Sequence, residues 1–253
     1  MRKTHVLLFV VFLGLLSGAG WFTFDRTQGP QLPVEQSYEV SLSEPAPKEA
    51  LSTAPLAPPP APKVLAVDVN LAVPFISQAP HANWDEAHEE FCEEASLLMA
   101  ASFVLGQSIS GPDDAEQKLQ AIRAFEEMRF GYYKDTTAEE TAVILREYYK
   151  LSAVSVVYEP TIADIRAAVA SGKSVIVPAA GRQLGNPYFK QPGPLYHMLV
   201  VKGYTKDGRF ITNDPGTRRG ANYLYDMNVL WNAIHDWNGG DVDNGRKVMI
   251  VVG

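Results

Sequence analysis

From about residue 67 the chain carries clear runs of apolar positions. Through Glu90–Leu105 they return at helical spacing, at Ala95, Leu98, Met99 and Phe103, and Gly106 closes the run. Residues 113–129 repeat a helical pattern, and Thr137 with Glu140 forms a capping box ahead of a third helix, "TAEETAVILREYYK". "SAVSVVY" then reads as a strand, and a short helix starts at Thr161 and Asp164 and ends at Gly172. "SVIVPAA", "YHMLVVKGYT" and "RFITND" read as strands rich in Val, Ile and aromatics. "VPFISQ" predicts a short strand or extended entry, a helix is expected near 226–237, and "KVMIVV" reads as a last strand. Helices come first and a largely antiparallel sheet second, which is an α+β order.

Upstream the pattern changes twice. Arg2 and Lys3 precede an apolar run from Val6 to Phe24, long enough to cross a bilayer as a helix. It reads either as a signal peptide cut near Ser17-Gly18-Ala19 or as an uncleaved anchor. The anchor is favoured, because the apolar run continues past the small residues to Trp21 and Phe22. Either reading places the remainder outside the cytoplasm, with the N-terminus inside for an anchor. Residues 25–66, with "EPAPKEALSTAPLAPPPAPK", are expected to be a disordered Pro/Ala-rich linker. In extended polyproline form it would hold a domain up to ~100 Å from the membrane. The chain thus divides into 1–24, 25–66 and a folded domain at 67–253.

Composition adds two constraints. The net charge is -7, the sequence pI is near 5.3 and no basic stripe is visible, which argues against nucleic acid as a partner. The chain holds a single cysteine, Cys92, so an exported domain has no internal disulfide, and its lone thiol is open to oxidation. Cys92 sits near the start of a helix, where partial positive charge and unpaired N–H groups lower a thiol pKa. The adjacent glutamates suit the same dipole and are expected to point to solvent. A small buried hydrophobe is the alternative role for such a cysteine.

A thiolate nucleophile needs a base and a group to orient that base. Of the five histidines, His5 lies in the N-terminal membrane segment, His81 in a loop and His235 in a late helix beside Trp231 and Trp237. His88 is one helical turn before Cys92, and His197 opens a strand. If the hairpin turn is centred near Lys206-Asp207, His197 lies across from about position 216. Asn213 and Asp214 then fall close to it, and register alone leaves both as candidates for the orienting group. Gln78, ahead of the nucleophile helix, is a candidate oxyanion donor. The segment 181–196, rich in Gly and Pro, is expected to form a flap beside His197. Its Tyr188 and Phe189, together with Trp84 and Tyr196, are candidate substrate-binding residues. His88 and Cys92 could supply two metal ligands at helical spacing, but no further paired ligands follow, so neither metal nor cofactor is expected.

"VPFISQAP", "EEFCEEASLLMA", "GNPYFKQPGPLYHMLVVKGY" and "FITNDPGTRRG" together resemble exported relatives of the bacteriocin-processing cysteine peptidases. These form family thirty-nine of the cysteine peptidases, within the papain-like superfamily. The resemblance covers about residues 70–252. It implies a papain-like α+β fold, with a nucleophile helix packed on a largely antiparallel sheet. It also implies hydrolysis of a peptide bond, with Gln78 as oxyanion donor, Cys92 as nucleophile, His197 as base and Asp214 as orienter. The expected partners are a peptide or protein substrate and, through the N-terminal segment, a membrane. Cell-wall amidase or transpeptidase chemistry on the same site, or a non-catalytic peptide-binding domain, would suit the same fold.

Overall fold

The computed structural model describes residues 32–37 and 68–253. The apolar run Val6–Phe24, the cleavage-or-anchor question and most of the proposed linker lie outside the described residues. Among those described, no helix is long and apolar enough to cross a membrane.

The domain begins with β1 (Val69–Asn70) and passes through an extended entry to α1 (Cys92–Leu105), α2 (Pro112–Phe130) and α3 (Ala138–Glu147). Then follow β2 (Val154–Tyr158), α4 (Ile162–Ala170), β3 (Ser174–Ala180), β4 (Tyr196–Tyr204) and β5 (Arg209–Asn213). The chain ends through β6 (Tyr223–Asp226), α5 (Met227–Ala233) and β7 (Val248–Val252). Local chemistry sets the helix limits. Gly106 and Gly131 close α1 and α2 in left-handed geometry, Pro112 opens α2, and full capping boxes at Thr137–Glu140 and Thr161–Asp164 open α3 and α4.

The strands form one antiparallel sheet in the order β2-β7-β3-β4-β5-β6, with β1 laid against β4. Every residue of β3 and β4 is buried, so both faces of the sheet centre are covered. α1 packs on these strands, and so does α4. α1 is itself buried along its first eleven residues, because the sheet and α2 and α3 enclose it. It is a central helix and not an amphipathic surface one, which the spacing of its apolar residues alone does not reveal.

Of the two readings of "VPFISQ", the unpaired entry segment holds; the strand pairing falls earlier, at β1. Two expectations need correction. The late helix stops at Ala233, where Ile234 turns to extended geometry, so His235 lies outside it and its Nδ1 meets the carbonyl of Gly245 at 2.7 Å. Within the proposed linker, Leu32–Ser37 is docked on the domain. Gln36 bridges Leu71 in parallel, the Asn70 amide donates to Pro33 O at 3.0 Å, and Glu35 pairs with the buried Lys202 of β4. Backbone pairing and a buried counter-charge hold these six residues despite their linker-like composition.

Candidate active site

Cys92 is the first residue of α1 and is 5% exposed. Its Sγ lies beside the backbone N–H of Met198, and one turn later Ser96 Oγ donates to Met198 O at 3.0 Å. The start of α1 is therefore fixed on β4 at the residue that follows His197. Cys92 and His197 line the same cleft, of about 970 Å³.

His197 is 1% exposed, and its Nε2 donates to Asp214 Oδ1 at 2.8 Å. That fixes the tautomer and leaves Nδ1 as the nitrogen without a partner among the described residues. The β4–β5 register runs Val201 to Thr212 and Val200 to Asn213, and its continuation sets position 216 opposite His197. Gly216 occupies that place, and a Cβ there would stand 2.8 Å from His197 Cε1 and 2.9 Å from Phe189 Cε1. Only a residue without a side chain lets the imidazole lie over the Asp214–Gly216 turn.

The structure separates the two candidate orienters. Successive residues of a strand face opposite ways. Asn213 donates its amide to the carbonyls of Val73 and Pro74, both at 3.0 Å, and so ties the entry segment to the sheet. Asp214 faces His197. It is fully buried, which opposes its charge, but the His197 imidazole and the donors around it hold its pKa below the usual carboxylate range. His88 is not placed to serve Cys92. Its Nδ1 meets Asp85 at 2.7 Å and its Nε2 meets Glu116 at 2.9 Å, so both ring nitrogens are engaged and its pKa is raised by those carboxylates against the effect of burial. Among the described residues no group of three or more His, Cys, Asp or Glu is arranged to hold a metal ion.

The thiol departs from expectation. Its pKa is well above the ordinary value, first because it is buried and second because Glu93 stands beside it. Sγ–H donates to Glu93 Oε2 at 3.0 Å. Glu93 and Glu94 do not point to solvent; both are buried behind the nucleophile, and burial followed by mutual repulsion pushes the Glu93 carboxyl pKa well up. Desolvation and a neighbouring acid outweigh the helix dipole, which favours the neutral thiol over the thiolate.

Gln78 reaches the cleft, with its side-chain donors engaged. Nε2 donates to His88 O at 2.8 Å and to Glu89 O at 3.1 Å, which clamps the turn that leads into α1, while Gln78 N donates to Pro215 O at 3.0 Å. Donation to an oxyanion would replace the longer of the two amide bonds. The four candidate binding residues also line the cleft but differ in kind. Tyr188 and Trp84 are exposed at the rim. Phe189 is buried, and Tyr196 is buried with its hydroxyl donated to Thr136 O at 2.9 Å, so these two form floor and wall. Sequence reasoning missed the charged lining, which includes Glu90, Asp135, Lys190 and Arg218. It also missed Asn186 and Tyr225, whose side chains meet Asp214 from behind.

A crystal structure described as a C39-like peptidase from Bacillus anthracis is 15% identical, with a TM-score of 0.42, and the match covers 74% of this chain and 98% of that one. A fragment of prointerpain A from Prevotella intermedia is 12% identical, with a TM-score of 0.38, over 57% of this chain and 43% of that one. No curated protein matches the chain. The family model described as Peptidase_C39 like family matches residues 70–238, a span that runs from β1 past the His197–Asp214 pair. The chain belongs to the Peptidase_C39 like family.

Proposed function

We propose that the protein is a thiol peptidase in which Cys92 is the nucleophile, His197 the base and Asp214 the group that orients it. The observation that carries this reading is the 2.8 Å bond from His197 Nε2 to Asp214, made in the cleft that Cys92 also lines. Nδ1 takes the proton of the Cys92 thiol as Sγ bonds to the carbonyl carbon of the scissile amide. The tetrahedral oxyanion is received by the backbone N–H of Cys92 at the helix start, with Gln78 as second donor once its bond to Glu89 O yields. The imidazolium then protonates the leaving amine, the C–N bond breaks and a thioester remains. Water gives a proton to Nδ1 and attacks the thioester, releasing the acid and restoring the thiol.

The substrate class is a peptide or protein segment laid along the cleft. The N-terminal apolar run and the Pro-rich stretch support a domain that acts outside the cytoplasm, tethered to a membrane. The test is labelling with a thiol-directed peptide electrophile, followed by mapping of the modified residue. Labelling confined to Cys92 and abolished by His197→Ala is expected. Labelling that survives His197→Ala unchanged overturns the assignment.

A further inference from the structure

Asp214 is held by more than the imidazole. Oδ1 accepts from His197 Nε2 at 2.8 Å and from the Gly216 N–H at 3.0 Å. Oδ2 accepts from the Tyr225 hydroxyl at 2.6 Å and from the Asn186 amide at 3.1 Å. Asn186 is 2% exposed and belongs to the flap segment between β3 and β4. All of its side-chain groups are in use. Nδ2 also donates to the Tyr225 oxygen at 2.8 Å, and Oδ1 accepts the Tyr188 N–H at 3.0 Å.

This pattern specifies an asparagine. The Tyr225 hydroxyl hydrogen is committed to Asp214, so the third member must donate twice and accept once. A carboxylate cannot donate, a hydroxyl has one hydrogen, and an apolar residue would leave a buried carboxylate oxygen short of a donor. A continuous path of hydrogen bonds therefore runs from the Tyr188 backbone at the cleft rim through Asn186 and Asp214 to His197.

We propose that Asn186 is a positioning residue, partnered by Tyr225, that ties the flap to the His197–Asp214 pair and so links engagement of substrate at Tyr188 to the orientation of the base. The inference rests on the reading of Cys92 and His197 as a catalytic pair. Asn186 does not line the cleft and acts through Asp214. Without its donors Asp214 either retains a proton or turns toward other partners, and the grip on Nε2–H loosens in both cases.

The test measures the rate of Cys92 alkylation by iodoacetamide on the full chain, from about pH 5 to about pH 9, a range that brackets imidazole titration. Melting temperatures are recorded alongside. Asn186→Ala and Tyr225→Phe are each expected to slow alkylation at neutral pH about tenfold, the loss of one charge-assisted hydrogen bond. Asn186→Asp sets a second carboxylate against Asp214, so one of the two keeps its proton, and the acid limb of the profile should move to higher pH. If Asn186→Ala fails to fold, Tyr225→Phe and Asn186→Asp carry the same test. Profiles that superpose on the parent's in every variant, with only the melting temperature lowered, overturn the proposal. His197→Ala separates the two ideas. A parent rate that depends on His197 while the Asn186 variants match the parent sinks the positioning role alone. A rate indifferent to His197 removes the catalytic pair and the positioning role with it.

Discussion

Phe189 stands edge-on to His197, with ring centroids 5.2 Å apart and planes inclined at 73°. The flap thus sends one aromatic, Phe189, inward against the base and leaves its neighbour Tyr188 46% exposed at the rim. Tyr188→Ala should lower peptide turnover with little change in melting temperature, while Cys92 still reacts with a small alkylating agent. Phe189→Ala should cost about 3 kcal/mol of stability, as buried aromatic truncations do, and slow alkylation as well. Equal effects of the two substitutions on stability would refute this division.

Asp214, and not Asn213, is the residue bonded to His197. Asp214→Asn keeps an acceptor but loses the charge, and a charge-assisted bond is roughly twice as strong as a neutral one, so labelling of Cys92 should fall about tenfold. Asn213→Ala should act on stability instead, by freeing Val73 and Pro74. A larger loss of labelling from Asn213→Ala would reverse the assignment.

Gly216→Ala tests the close approach at the turn. The added methyl group must displace His197, Phe189 or the turn itself, since two contacts fall below 3.0 Å. Labelling of Cys92 near neutral pH should drop by about a hundredfold, the scale of general-base assistance, with the domain still folded. Retention of more than half the parent rate would show that the imidazole is not held where the structure places it.

The acid beside the nucleophile has a sign that can be checked. As pH rises and Glu93 ionises, its charge opposes formation of the Cys92 thiolate. Glu93→Gln keeps a polar partner for Sγ without that charge, so the thiol pKa should fall. Alkylation at neutral to alkaline pH should rise, up to about tenfold for each unit by which the thiol pKa falls. An unchanged or slower rate across that range would contradict the argument.

Deeper in the helical layer, Glu94 and Glu126 are fully buried side by side, and their carboxyls meet each other with no basic or amide partner among the described residues. Burial raises both pKa values; the nearby Glu126 pushes Glu94 further up, while the Glu94 contact opposes the rise at Glu126, whose pKa still stands at about 9 from 4.5. The folded state therefore binds protons that the unfolded chain has released. The stability from this pair is complete below about pH 4.5 and is lost progressively as pH rises toward about 9. Glu126→Gln can donate to Glu94 at any pH, so its melting temperature should vary less with pH. It should exceed the parent's by several degrees at mildly alkaline pH, at ~2–4 °C per kcal/mol for a domain of this size. A parallel pair of pH–melting curves would show that the carboxyls do not titrate as described.

Much of the site was legible because it depends on local rules. The capping boxes at Thr137 and Thr161 mark helix starts by side-chain chemistry alone. The hairpin turn near Lys206-Asp207 places the residue facing His197 to within one position, and the shift of register between Val201 and Gly203 brings the pairing to position 216. What sequence spacing could not give is the side of the strand on which a neighbour's partner lies. Asn213 and Asp214 are adjacent, and only the packing of the entry segment against one face separates them. Burial of Glu93 and Glu94 was also hidden, since acidic residues at a helix start have a sufficient reason to be in solvent. Asn186 meets Asp214 across 28 residues of chain through side chains alone, and β6 is four residues long between a glycine turn and α5. Such long-range contacts leave no periodic trace.

The docked segment Leu32–Ser37 gives the domain a mechanical fuse. A pull on the chain from its N-terminal side is borne first by the backbone bonds from Gln36 to Asn70 and Ala72 and by the Glu35–Lys202 pair, not by the sheet. If they part, force passes on along the chain to β1. Lys202 would lose the one carboxylate that pairs with it among the described residues at the same moment, while still buried beside Asn222. Tension on the chain would thus be converted into a local change of charge balance on β4, the strand that carries His197.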